Sequence, residues 1–99
     1  MVKIEMIKRE DDILILEIKL EDGVIEPNDL KKIDFNPSFK EIGGKVVILT
    51  GRAPIWLYGY LIHLLHPVKA IATYDPRVGG AVVIQSHFKE LSIGDIIVF

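Results

Sequence analysis

Three histidines, two arginines and one aspartate lie within 36 residues of this chain: Arg52, His63, His66, Asp75, Arg77 and His87. Arginine forks suit phosphate oxygens, a carboxylate is a hard oxygen ligand, and imidazoles titrate near neutrality. Together these groups could hold a phosphate and move protons around it. The His63/His66 pair, three residues apart, could also share a metal ion, though the spacing alone lacks a third ligand. The plain alternatives are surface arginines paired with Asp75 and helical histidines that serve packing.

These residues must be positioned by a strand, a helix and a second strand. Residues 46–49 (Val-Val-Ile-Leu) run without a polar break, as buried parallel strands do. The Gly51-Arg52-Ala53 turn follows this 45–50 strand, Pro54 opens a helix, and Pro67 closes it before a strand over 68–74. The reading is a right-handed parallel βαβ unit, a truncated Rossmann-like element. Its ligand edge lies where the strands end and the helix begins, which gathers Gly51, Arg52, Asp75 and Arg77 beside the free N–H groups of the first helical turn. Gly51 there allows a close backbone approach. The fingerprints G-x-x-x-x-G-K-[ST] and G-x-G-x-x-G are absent, which argues against ATP-driven or dinucleotide chemistry.

At 100° per residue, Gly59, His63 and His66 form one stripe with Ile55 and Trp56, while Tyr58, Leu61, Ile62 and Leu65 should meet the sheet. A glycine in mid-helix implies that something approaches the stripe closely. Residues 81–87 should return antiparallel to 68–74 and bring His87 level with Pro67 and Val68, near His66. The helix rise, roughly 18 Å over twelve residues, then separates His66 from Asp75. One chain cannot unite them, so either they form two independent surfaces or a head-to-tail contact between copies joins them.

The rest of the chain is scaffold. Residues 2–8 and 13–20 alternate as a half-buried N-terminal β-hairpin around Glu10-Asp11-Asp12, with Val2, Ile4 and Met6 on the inner face. Pro27 starts a short helix through about Ile33, Asn36-Pro37 and Gly43-Gly44 bracket a loop, and Ser92–Asp95 turns into a last strand over 96–99. The expectation is one α/β domain, 1–99, with a mixed sheet. Without cysteine there is no disulfide or thiolate zinc site. Residues 1–44 carry seven Lys/Arg against eleven Asp/Glu, and residues 45–99 five against three. An anionic ligand therefore favours the second half. The uncharged run 53–68 is too short for a membrane span, and the N-terminus lacks a leader pattern, so a cytoplasmic protein is expected. Sixteen isoleucines beside only Asn28, Asn36 and Gln85 point to a heat-adapted source.

The motifs T-G-R-A-P-I-W-L-Y, H-P, Y-D-P-R-V-G-G and V-V-I-Q-S-H span 50–87. This stretch resembles the small ring-nuclease family associated with type III CRISPR systems. The resemblance implies a manganese-dependent phosphodiesterase that cleaves cyclic tetra-adenylate, a messenger of antiviral defence. It also implies an exonuclease that removes adenylates from RNA 3′ ends. It places catalysis on His66 and Asp75, with Arg77 supporting the phosphate, and implies a homodimer stacked head to tail into a tetramer or filament. On these terms Gly51, Arg52, Arg77 and His87 would bind substrate, and Asp75, His66 and His63 would hold Mn²⁺. His66 could instead serve as acid or base. The alternative is a non-catalytic module that binds or senses the cyclic oligoadenylate, which needs neither His66 nor metal.

Overall fold

The computed structural model describes residues 2–33, 35 and 42–99. Six strands form one mixed sheet in the order β1-β2-β3-β4-β5-β6: β1 (Val2–Glu10), β2 (Ile13–Leu20), β3 (Val46–Thr50), β4 (Ala70–Asp75), β5 (Gly80–Ser86) and β6 (Ile96–Ile97). β1 and β2 are the expected antiparallel hairpin. β2, β3 and β4 run parallel, and β5 and β6 return antiparallel. The helix α1 (Ile55–Leu65) joins β3 to β4 as the sequence predicts, and Pro27–Lys32 is a 3-10 helix. Asn36-Pro37, expected to open the connecting loop, lies outside the described residues.

The strand order runs straight through. A doubly wound sheet reverses its order and opens a ligand crevice at the reversal; here no reversal occurs among the described strands. Both parallel crossovers accordingly cover one face. Leu30, Ile33 and Phe35 from the β2–β3 connection pack on the same cluster as Leu57, Leu61 and Leu65 of α1. Those leucines recur every fourth residue and are fully buried, each contributing on the order of 1.5–3 kcal/mol of transfer free energy. The opposite face holds a smaller cluster of Ile15, Ile48, Ala72, Ala81 and Val83, against which Leu91 and Ile97 pack.

Three details differ from the sequence reading. Leu14, Ile15 and Leu16 are all buried, because β2 is an inner strand with apolar cover on both faces rather than a half-exposed one. Met6, expected inside, is 56% exposed, because a register shift between Met6 and Lys8 breaks the alternation of β1. On α1 the seam is Leu57/Leu61/Leu65, with Tyr58 and Ile62 on its flank and Trp56 half-buried against the core rather than on the open stripe. The stripe itself is as expected: Ile55, Gly59, His63 and His66 are exposed.

Candidate functional site

The two ends of α1 present different chemistry. At its N-terminal end a groove of about 530 Å³ runs between Ile55, Tyr58, Gly59 and Ile62 of the helix and Tyr74, Asp75 and Arg77 at the end of β4. Asp75 is the last residue of β4 and pairs with Gly80 across a hairpin loop. The Val78 and Gly79 amides both donate to the Asp75 carbonyl (3.1 Å each). Its carboxylate accepts from the Arg77 amide (2.9 Å) and from the Arg77 guanidinium at Nη2 (3.2 Å). The Arg77 side-chain and backbone hydrogen bonds hold the Asp75 carboxyl below the usual carboxylate range, and Asp75 in turn raises Arg77. Asp75 is thus a fixed anion at neutral pH. Arg77 is tied to it and otherwise open to solvent.

Gly51 lines this groove, but its role differs from the expected one. Its φ is +118°, and a Cβ there would stand 2.3 Å from the Ile18 carbonyl oxygen. The close approach is that of the neighbouring β2 backbone, not of a ligand. Tyr58 secures the same turn, its hydroxyl donating to the Gly51 carbonyl (2.6 Å), and burial pushes the Tyr58 phenol up from its ordinary value. Arg52 is the larger correction. Past the Gly51 turn it lines a separate depression beside Lys3, Glu5, Glu17 and Lys19 of the hairpin, not the groove of Asp75 and Arg77. The two arginines therefore do not form one phosphate fork within a chain.

At the C-terminal end of α1 stand the histidines. The His63 and His66 rings lie nearly parallel, 6.3 Å apart with an interplanar angle of 19°. His66 Nδ1 is 3.2 Å from the His63 carbonyl oxygen, which can only accept, so this contact requires a proton on Nδ1 and leaves Nε2 outside it. His87 arrives as the sequence predicts: its amide donates to the Lys69 carbonyl (2.9 Å), and its Nε2 lies 3.0 Å from the His66 carbonyl oxygen. Gln85 donates to the same oxygen (2.7 Å). Lys69 adds a cation nearby, 4.3 Å over the Phe88 ring.

Asp75 and the histidines thus occupy opposite ends of an eleven-residue helix, about 16 Å at 1.5 Å per residue. Among the described residues no three His, Asp or Glu side chains converge on a shared metal position. The expected trio His63, His66 and Asp75 is therefore not assembled within one chain. Sequence reasoning missed Gln85 and Tyr58 as supporting groups. Gln85 did carry a signal, since it is the chain's only glutamine and interrupts an apolar strand.

The molecule is thus a small α/β domain with a mixed sheet, displaying an arginine-tied carboxylate and histidines at the two ends of one crossover helix. Residues 18–98 match the family described as CRISPR-associated protein (Cas_csx3). A protein of Aquifex aeolicus (strain VF5), described as an uncharacterized protein, is 45% identical over 91 residues, which cover 91% of this chain and 81% of the relative. The chain belongs to the Cas_csx3 family of CRISPR-associated proteins. No described helix is long and apolar enough to cross a membrane.

Proposed function

We propose that the protein is a manganese-dependent phosphodiesterase that opens cyclic tetra-adenylate in antiviral signalling, with trimming of adenylates from RNA 3′ ends as a second use of the same site. The observation that carries this reading is the division of labour along α1. Asp75 and Arg77 supply a fixed anion and a guanidinium at one end, and the exposed His66 supplies an imidazole nitrogen outside its hydrogen bond to His63 at the other. A head-to-tail contact between copies brings the two ends together. The family membership supports the antiviral setting, and the separation of the two ends supports a stacked assembly into a tetramer or filament.

The donor set fits Mn²⁺ in kind: an ionised carboxylate oxygen on Asp75 and imidazole nitrogens on His66 and His63, hard and borderline ligands respectively. Bound there, the metal would polarise a phosphoryl oxygen. The protein's own groups carry the remaining steps. Arg77, released from Asp75 in part, offsets charge on the phosphate. His66, with Nδ1 bonded to His63, can take the proton of the attacking oxygen at Nε2 and return it to the leaving ribose oxygen as its P–O bond breaks; if His66 is a ligand, water takes both roles. We read the β3–α1–β4 crossover as right-handed, the sense such connections take, and as a minimal Rossmann-like element that lacks a second winding. A cytoplasmic setting goes with a nucleotide-messenger substrate.

The deciding experiment incubates purified protein with cyclic tetra-adenylate, with and without Mn²⁺, and follows mass. Linear adenylates that appear only with Mn²⁺ are expected. An intact ring that stays bound would identify a sequestering or sensing module instead.

A further inference from the structure

β5 carries an irregularity whose effect is to aim a side chain. Ile71 belongs to the helix-side cluster and is paired with Gln85, while Ala72 belongs to the opposite cluster and is paired with Val83. Val83 and Gln85 are two residues apart and in a regular strand would share a face. They do not, because the register shifts between Ile71 and Ala72 and leaves Ile84 as the extra residue. Bulges of this kind bend a strand and re-aim the side chains past the extra residue. Past Ile84, Ser86 faces the smaller cluster, where its hydroxyl donates to the Leu91 carbonyl (2.6 Å), and Gln85 and His87 turn toward the end of α1.

What they reach is the backbone of His66. A helix end leaves its last carbonyls without intrahelical donors, and the His66 carbonyl takes Gln85 Nε2 at 2.7 Å and His87 Nε2 at 3.0 Å. The two nitrogens are themselves 3.2 Å apart. An amide's two N–H bonds diverge too widely to aim at both the oxygen and the imidazole across such a small triangle. The arrangement is satisfied when both nitrogens donate to the carbonyl, which puts the His87 proton on Nε2. The His66 ring is meanwhile tied through Nδ1 to the His63 carbonyl (3.2 Å). His66 is therefore held twice, by its ring from within the helix and by its carbonyl from β5.

We propose that Gln85, placed by the Ile84 bulge, is a positioning residue that sets where the His66 imidazole stands for the reaction. The role rests on the reading of His66 as a catalytic group. A residue that only capped the helix would affect stability and leave turnover alone. One that positions the imidazole affects turnover, since misplacement by about 1 Å costs on the order of a hundredfold.

The test compares wild type, Gln85→Met, which keeps the shape without the donor, and Gln85→Lys, which restores a donor with similar reach. His66→Ala is the reference. With cyclic tetra-adenylate and Mn²⁺, Gln85→Met should lose about ten- to a hundredfold in kcat with KM within about twofold, and Gln85→Lys should recover part of that loss. Imidazole nitrogen NMR of the substrate-free protein should show His66 resonances displaced in Gln85→Met and returned toward wild type in Gln85→Lys. An inactive His66→Ala beside a fully active Gln85→Met overturns the role of Gln85 alone. A fully active His66→Ala overturns the reading of His66, and the role of Gln85 with it. Unmoved His66 resonances in Gln85→Met overturn the proposal whatever the activity.

Discussion

At the groove end of α1 the charges answer one another inside a single tight turn, Arg77 closing back on Asp75 through side chain and backbone. At the other end no carboxylate takes part among the described residues. His66 and His87 are instead anchored to backbone carbonyls, each imidazole keeping one nitrogen outside the hydrogen bonds described. The first end is complete as an ion pair and poor in proton chemistry. The second is rich in proton chemistry and, among the described residues, lacks a charge partner for it. Each end supplies what the other lacks, and the helix between them is too rigid and too long to let one chain join the two.

The largest effect expected tests that complementarity. His66→Ala should lose on the order of 10²–10⁴ in activity, the range for removing a positioned proton-transfer group, and Asp75→Ala, which removes the fixed carboxylate offered to the metal, should be nearly inactive as well. Mixed together, the two inactive variants should regain activity, because a contact between an intact histidine end and an intact aspartate end rebuilds one wild-type site. The rate should also rise more steeply than linearly with enzyme concentration where assembly is incomplete. A mixture that stays inactive while both variants fold and assemble, or an isolated copy with full turnover, would show that the two ends work independently.

Next in size is a change that damages the groove end through the fold. Gly51→Ala should destabilise the protein by about 3–5 kcal/mol, combining a φ of +118° with a Cβ pressed to 2.3 Å from the Ile18 carbonyl. Thermal unfolding would report it. A near-neutral result would mean that β2 can move away from the turn.

How far these features were legible in the sequence depends on their physical range. The strand–helix–strand, the hairpin and the arrival of His87 beside His66 rest on local periodicity and proline brackets, and all three are as read. The exposed stripe was legible for the same reason. The destination of Arg52 was not, because a glycine turn with positive φ can send the next side chain to either neighbour, and only the packed position of β2 decides it. The role of Gly51 was hidden likewise, since a glycine needed for a ligand and one needed for a strand look alike. The Ile84 bulge left no mark, because Val83 and Ile84 are equally apolar whichever face they take. As for the site, the sequence named its chemical groups and offered a pairing of Arg77 with Asp75 as one alternative, whereas choosing that pairing and seeing the anchoring of His66 needed coordinates.

A smaller effect separates the two arginines. Arg77→Ala should weaken cyclic tetra-adenylate binding about tenfold, in keeping with one charge-assisted contact, measured by titration calorimetry. Arg52→Ala should do less, because Arg52 opens into the other depression, and Lys3→Ala and Lys89→Ala should do nothing. The same variant tests the ion pair. The folded-state titration of Asp75 is depressed, so its stabilising contribution is present above the unfolded value of about 3.9 and is lost as pH falls through the folded value. Removing Arg77 should return the Asp75 titration toward that ordinary value, visible by carboxyl carbon NMR. An unchanged titration would mean that the carboxylate is held by the residue-77 backbone amide rather than by the guanidinium.

The smallest change in stability carries a contrast of sign. Gly59 sits in mid-helix, and a Cβ added there would meet nothing within 4 Å. Within a single chain Gly59→Ala should therefore stabilise the protein by about 0.5–1 kcal/mol, the ordinary helical gain of alanine over glycine, or a few °C in Tm. Gly59 also lines the groove and shares the exposed stripe with His63 and His66, between the two ends that the mechanism requires to meet. If another copy or the nucleotide seats closely on that stripe, the added methyl group obstructs it. Activity should then fall in a variant that is more stable than the wild type. Sedimentation with and without cyclic tetra-adenylate would tell whether assembly or binding is lost. A variant that gains stability and keeps full activity would leave the glycine without a functional reason, and the stripe would then not be the surface on which the two ends meet.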